Sequence, residues 1–386
     1  FRVPGGIAAA RGGVRPRKPG DPTPQEIRDA LAAPVDADTD SVLLKKAIAE
    51  HAGTIESEGD LPFRDSYSEF LTDEDSKQWW IKSSPSTYMD QINASGIAMY
   101  MAVNWDEGAT KPGPFFAINN FKVPAKLLIG PGVHCDWNTS MKLTGFDVTV
   151  EERRFFDYWL KGIDNGIMDE DPVYYYTYNA PEGSEWRSAK KWPLPEEKRV
   201  EFYLGEGSLS TTVPTGTNQK DQTIVSYDVR PDDATAGRLI YETAPLSEDI
   251  QVTGHPTINL WVSSTATDGD FIATIWDVAP DGTTSSYNVY GQLRASMRKL
   301  AEPPYNYLGL PWHSFMEADV MQLVPGEPAE LVFQILPISM IFKAGHKIQL
   351  VISFSGRGTP RLNPPPEVTI YRDATHKSYL TLPIIE

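Results

Sequence analysis

The chain has 386 residues, 40% of them hydrophobic and 11% aromatic, enough for packed cores in two or three domains and enough to exclude a wholly disordered chain. Its 35 Lys+Arg against 52 Asp+Glu give a formal charge of −17, which speaks against a protein that grips a phosphate backbone. No run approaches the roughly 18 apolar residues that a membrane helix needs, and the single cysteine, Cys135, excludes an internal disulfide and a cysteine-based zinc site. The compartment stays open on these figures. The chain starts at Phe1, without an initiator Met or a signal peptide, so a processed or truncated piece is expected.

In chain order, residues 1–22 are rich in Gly, Pro and Arg and read as a loop. Residues 23–95 read as mostly helical. Thr23-Pro24-Gln25-Glu26 has the form of a capping box with Pro at the first helical position. Over 41–52, Leu43, Leu44, Ala47 and Ile48 recur with a helical period. Phe63, Tyr67, Phe70, Trp79, Trp80 and Tyr88 crowd the stretch 62–90; packing between helices is the plain reading, and lining a substrate pocket is the sharper one.

Residues 96–190 change character. An apolar run at 97–103 ends at Asn104-Trp105-Asp106, and a second at 125–130 ends at Pro131-Gly132-Val133-His134. Short apolar runs closed by polar turns fit strands of a parallel sheet buried on both faces. A short helix is expected at 112–120. Another is expected at 150–161, with Phe155, Phe156, Trp159 and Leu160 on one apolar face and Gly162 as its C-terminal cap. Strand, helix, strand, helix is an α/β order.

From about 192 the period becomes two. Val200, Phe202 and Leu204 alternate with polar neighbours, as do Ile258, Leu260 and Val262. Further runs lie at 271–278, 288–295, 330–336 and 347–354, with turns at Asp281-Gly282, Pro325-Gly326 and Ala344-Gly345. Many short strands with such turns predict an antiparallel β-sandwich, a jelly roll above all. The expected organisation is 1–95 a helical cap region, 96–190 an α/β part and 191–386 the jelly roll.

Two strand ends carry the chemistry. Asp106 and His134, 28 residues apart, stand where open α/β sheets place functional groups. In the α/β-hydrolase order of Ser, then acid, then His, a carboxylate there orients an imidazole that takes the nucleophile's proton. By spacing alone, a turn Asp and a hydrogen-bonded structural His are the plainer readings. The acidic stretch Asp65, Glu69 and Asp73-Glu74-Asp75 reads as a solvated face or as an anionic patch for a substrate ammonium group. His313, His346 and His376 show no zinc spacing, and Cys135 reads as a small buried residue rather than a nucleophile.

Gly130-Pro131-Gly132-Val133-His134 resembles the Gly-Pro-Trp-Ser-His segment of the cocaine-esterase and X-Pro dipeptidyl-peptidase-like acyl hydrolases. Residues 156–162, Trp186-Arg187, Trp192-Pro193, Asp277-Val278-Ala279-Pro280-Asp281-Gly282, residues 291–296 and Phe342-Lys343-Ala344-Gly345-His346 are similar to further family segments, in the same order. The resemblance runs from about residue 80 to the end. It implies the tail of an α/β-hydrolase core with a helical cap, followed by a C-terminal β-sandwich jelly roll. It implies Asp106 as the catalytic acid and His134 as the catalytic base of a serine esterase or amidase, with no cofactor and no metal. Trp79, Trp80, Tyr88 and Trp105 are then candidate substrate-binding walls. Two departures stand out: the family's Gly-Trp-x-Asp is one residue shorter here, and its Trp-Ser before the histidine is Gly132-Val133.

No G-x-S-x-G nucleophile elbow occurs in the 386 residues; Ser95-Gly96 and Ser355-Gly356 lack the flanking glycines. In the family the elbow lies upstream. The expected partner is therefore an N-terminal segment or chain carrying the nucleophile Ser, and the chain alone is expected to be inactive. A small-molecule ester or amide is the expected substrate, with no nucleic acid, no membrane and a homo-oligomer left open. The alternative is a non-catalytic binding or structural protein with a carbohydrate-binding-like jelly-roll module.

Overall fold

The computed structural model describes residues 38, 40–51, 79–108, 110–227, 237–356 and 361–386. The expected capping box at Thr23, the aromatics Phe63, Tyr67 and Phe70, and the acidic stretch at 65–75 lie outside the described residues. Helix α1 (Val42–His51) occupies the predicted segment, with Asp38 accepting from the Leu43 and Leu44 N–H groups at its start. Helices α2 (Trp79–Lys82) and α3 (Met89–Ser95) follow, joined through a 3₁₀ turn over Pro85–Tyr88. Gly96, at φ +67°, ends α3 in the left-handed region that costs glycine little.

Both apolar runs form strands, β1 (Met99–Asp106) and β2 (Ala125–Val133), and they pair in parallel. The intervening helix α4 (Gly113–Asn120) is the crossover that a parallel pair requires. Next come α5 (Asn138–Thr144) and α6 (Val148–Lys161). Asp147 caps α6 by accepting from the Thr149 N–H, and Gly162 closes it at φ +68°, its N–H bonded to the Tyr158 carbonyl. Two strands absent from the sequence expectations complete the sheet: β3 (Val173–Tyr176) and β4 (Trp186–Ala189), in the order β1-β2-β3-β4. β3 is parallel to β2 and β4 antiparallel to β3.

The remainder is β-rich. A nine-stranded sheet holds β5 (Glu197–Leu204), β6 (Leu209–Ser210), β7 (Lys220–Ile224), β9 (Ile250–Gly254), β10 (Thr257–Ser264), β14 (Ala329–Gln334), β15 (Ile338–Phe342), β17 (Glu367–Tyr371) and β18 (Tyr379–Ile385). A five-stranded sheet holds β8 (Arg238–Glu242), β11 (Asp270–Val278), β12 (Thr284–Ser285), β13 (Tyr290–Arg294) and β16 (Lys347–Ser353). Every pairing between strands in these two sheets is antiparallel. Gly282, Gly326 and Gly345, each named as a turn residue by the sequence, all sit near φ +80°.

One core runs through all three sheets. Leu260 and Leu331 of the larger sheet, Ile275 and Leu350 of the smaller, and Trp105 and Phe115 of the α/β part belong to the same buried cluster. Trp192 links the parts, its ring 4.7 Å from Phe115 and 6.4 Å from His255. The bridge between Tyr178 and Met340 joins the chain just after β3 to β15. The carboxyl ends of β1 and β2 are thereby fixed against the β-rich part.

Candidate active site

The turn that carries His134 begins with a register shift. Asn104 pairs with Gly130 and Asp106 with Val133, so β2 holds one residue more than β1 over this interval. Such a bulge bends a strand and re-aims the side chains that follow. Gly132 makes it fit: a Cβ there would lie 2.0 Å from the Asp136 carbonyl oxygen. Asn104, almost wholly buried, holds the turn from inside. Its Nδ2 donates to the Val133 carbonyl at 2.9 Å, and its Oδ1 accepts from the Gly132 N–H at 3.2 Å. Sequence reasoning noted Asn104 only as a departure from a motif; a buried polar residue at a strand end was the signal available.

His134 projects from this turn, 57% exposed. Its Nδ1 lies 3.1 Å from Oε1 of Glu107, whose side chain is 6% exposed. No hydrogen-bond donor is aligned on that buried oxygen among the described residues, so the imidazole is the group that faces it. The sequence expected Asp106 in this place. Asp106 stands one residue earlier, where alternation along an extended chain sends neighbouring side chains to opposite sides. Its Oδ1 instead accepts from Nδ2 of Asn288 at 2.5 Å, a residue of the β12–β13 loop. The structure thus puts both carboxylates at the end of β1 and turns Glu107 toward the imidazole.

A buried lysine lies behind them. Nζ of Lys111 donates to the Trp105 carbonyl at 2.7 Å and to the Asn288 carbonyl at 3.2 Å. Desolvation pulls its pKa from 10.5 down to about 7, partly opposed by the negative charges of Asp106 and Glu107. Two N–H donors meet two carbonyls here, an arrangement that a neutral amine also satisfies.

The aromatic candidates separate. Trp105, expected as a pocket wall, is completely buried; its indole N–H donates to the Tyr176 carbonyl and its ring stacks on Phe115 at 5.7 Å. It is a core side chain because alternation turns residue 105 inward. Tyr88 is 44% exposed. Trp79 and Trp80 open α2, and their side chains lie outside what is described. An apolar cavity of about 540 Å³ lies nearby, lined by Met89, Ile92, Met99, Met101, Phe116 and Phe121. Its β1 residues are five and seven positions before Asp106; at about 3.3 Å per residue this places it some 16 Å or more from the carboxylates. It is therefore separate from the His134 site. Among the described residues no group of three or more His, Cys, Asp or Glu is arranged to hold a metal ion.

Comparison with known proteins adds the following. Residues 165–381 match the model of the X-Pro dipeptidyl-peptidase C-terminal non-catalytic domain. A Mycobacterium bovis protein named as a serine esterase is 30% identical over 400 residues, covering 92% of this chain and 63% of its own length. The cocaine esterase of a Rhodococcus species is 27% identical over 271 residues, covering 60% of this chain and 44% of its own. Among solved structures, a CocE/NonD family hydrolase from Staphylococcus aureus superposes with a TM-score of 0.65 at 20% identity, over 82% of this chain and 57% of that one. An α-amino acid ester hydrolase superposes at 0.61 with 17% identity, over 90% and 61%. These structural likenesses show the fold. The chain spans less than two thirds of the length of these relatives.

Proposed function

Because the chain belongs to the family of cocaine-esterase and X-Pro dipeptidyl-peptidase-like CocE/NonD hydrolases, we propose that it supplies the acid–base half of a serine acyl hydrolase acting on small esters or amides. The observation that supports this is the meeting of an exposed imidazole with a buried carboxylate at the ends of two adjacent parallel strands. His134 takes the proton of a serine hydroxyl through Nε2 as that oxygen attacks the acyl carbon. It then gives the proton to the departing alcohol or amine. A carboxylate at Nδ1 fixes the tautomer with Nε2 unprotonated and stabilises the imidazolium that forms. Glu107, which faces Nδ1, supplies that carboxylate in the place expected for Asp106. The serine, in a G-x-S-x-G elbow, comes from residues other than these 386, with the oxyanion donors that flank it.

In this reading the small sheet β1–β4 with its helices is the last part of an α/β-hydrolase core, the segment up to residue 95 belongs to a cap, and the β-rich part is a jelly roll. Trp79, Trp80 and Tyr88 remain candidate walls of the acyl site. Trp105 supports the strand end from the core instead. A purely binding protein would have no use for a general base at a strand end, which is why the catalytic reading is preferred.

The test is turnover of an activated ester by a polypeptide that extends this chain upstream through a G-x-S-x-G segment. His134→Ala should lower kcat by about 10³-fold or more while KM stays within a few-fold. The 386-residue chain alone should turn over no faster than buffer. Equal kcat in the wild type and the His134→Ala variant would overturn the proposal.

A further inference from the structure

Two carboxylates in sequence end β1, and only one of them faces the imidazole. We propose that Asn288, on the β12–β13 loop of the region matched as non-catalytic, is a positioning residue that holds Asp106 aside and so selects Glu107 as the partner of His134. This rests on the role of His134 as base given above.

Four observations carry it. Asn288 Nδ2 donates to Asp106 Oδ1 at 2.5 Å, a contact between residues 182 apart in sequence. Tyr287 and Asn288 both have positive φ, +46° and +51°. Two consecutive non-glycine residues in the left-handed region persist only where their surroundings over-determine them. The surroundings do so here. Lys111, buried beneath, ties the Asn288 carbonyl to the Trp105 carbonyl at the end of β1. The Tyr287 ring stacks on Tyr178 with centroids 4.2 Å apart, and the Tyr178 hydroxyl donates to the Pro131 carbonyl at 2.7 Å, on the strand that leads to His134. One loop of the β-rich part thus touches the end of β1 directly and reaches the end of β2 through Tyr178. The charged and titratable groups around Asp106 in this arrangement are Glu107, Lys111 and Tyr287. An Asp106 released from this contact would compete with Glu107 for the same imidazole; the charge-assisted hydrogen bond from the Asn288 amide removes it from that competition.

The test needs no turnover. In the ¹⁵N-histidine-labelled 386-residue chain, the fraction of neutral His134 carrying its proton on Nδ1 reports which carboxylate faces that nitrogen. Glu107→Gln should lower this fraction at least two-fold, and Asp106→Asn should leave it unchanged. In an Asn288→Gly background the Asp106→Asn change should now lower it at least two-fold. Asn288→Asp, which turns a donor into a repelling carboxylate, should give the same switch. Gly and Asp both tolerate φ near +50°, so the loop backbone is retained in either variant. If Asp106→Asn already lowers the fraction in the wild type, or has no effect in either Asn288 background, the selection is overturned. Inactivity of the extended enzyme would instead sink the role of His134 and leave the tautomer result standing.

Discussion

Asn104 and Lys111 hold the two strand ends that carry Asp106, Glu107 and His134. Asn104 spends both ends of its carboxamide on the turn that presents His134. Asn104→Leu keeps the branching and the number of heavy atoms but strands the Gly132 N–H and the Val133 carbonyl; the expected cost is about 1–3 kcal/mol, read as a lowered urea midpoint with unchanged m. Lys111 makes a pH prediction. Its folded pKa of about 7 lies below the ordinary 10.5, so between these values the unfolded chain binds a proton that the folded chain does not. Stability should therefore rise with pH, by up to about 1.4 kcal/mol per unit across that window. Lys111→Met should flatten the rise between pH 7.5 and 9.5 in urea unfolding; an undiminished slope would show that the proton is bound elsewhere. Neither residue was legible as important in the sequence. Asn104 stood in a recognisable strand end, but what it bonds is a turn about 30 residues away, and Lys111 bonds the carbonyl of a residue 177 positions on. The positions of Asp106 and His134 at the ends of two adjacent strands were legible because apolar runs and their polar terminators are local signals. The placement of Glu107 opposite the imidazole was not, because the Asp106–Asn288 contact beside it joins residues 182 positions apart.

At the scale of elements, the apolar runs and their terminators were readable wherever one short-range signal sufficed. β1, α4 and β2 lie where hydrophobic runs and polar turns put them, and α6 ends at the glycine named as its cap. The single apolar face expected for α6 divides, however. Phe155 is buried, whereas Phe156 and Leu160 are 53% and 77% exposed. At 100° per residue these side chains span two neighbouring stripes, and only the stripe of Phe155 meets Tyr100 of β1. β3 and β4 escaped the sequence reading because four-residue strands carry too few positions to establish a period. The caps give a direct check. Asp147→Ala removes the acceptor from the first turn of α6, and Gly162→Ala forces a Cβ into φ +68°. Each should cost roughly 1 kcal/mol. The two effects should add in thermal unfolding, since the caps lie a helix length apart. No change in either variant would mean that packing alone defines the ends of α6.

For the whole molecule, the α/β part and the β-rich part share a core, and a buried histidine at their junction makes an acid-stability prediction. His255 is fully buried against Phe115, Phe116 and Trp192. Neither ring nitrogen has a hydrogen-bond partner among the described residues. Desolvation, with the positive charges of Arg199 and Lys111, depresses its pKa from 6.5 to about 3. From pH 6.5 down to about 3 the unfolded chain takes up a proton that the folded chain refuses, so stability falls as pH falls through this window. His255→Leu should leave stability at pH 7 within about 1 kcal/mol, since an unpaired polar ring is exchanged for an apolar group, and should move the acid-unfolding midpoint to lower pH. An acid midpoint that stays put would assign acid sensitivity to other groups. At this scale the sequence conveyed the switch from α/β to antiparallel β organisation, because period and turn residues change together near residue 192. The assignment of strands to two sheets was not conveyed: β10, for example, pairs with β14, β17 and β18, partners that no local pattern specifies.

In the proposed function the base and its carboxylate serve a serine outside these 386 residues. Labelling with a serine-directed fluorophosphonate, followed by mass mapping of the modified residue, tests this most directly. The 386-residue chain alone should take up no label. The upstream-extended polypeptide should be labelled on the serine of its G-x-S-x-G segment, and His134→Ala should slow that labelling by about 10³-fold or more. Stoichiometric labelling of any serine within the 386 residues, or labelling of the extended polypeptide at a rate that His134→Ala leaves unchanged, would contradict the account.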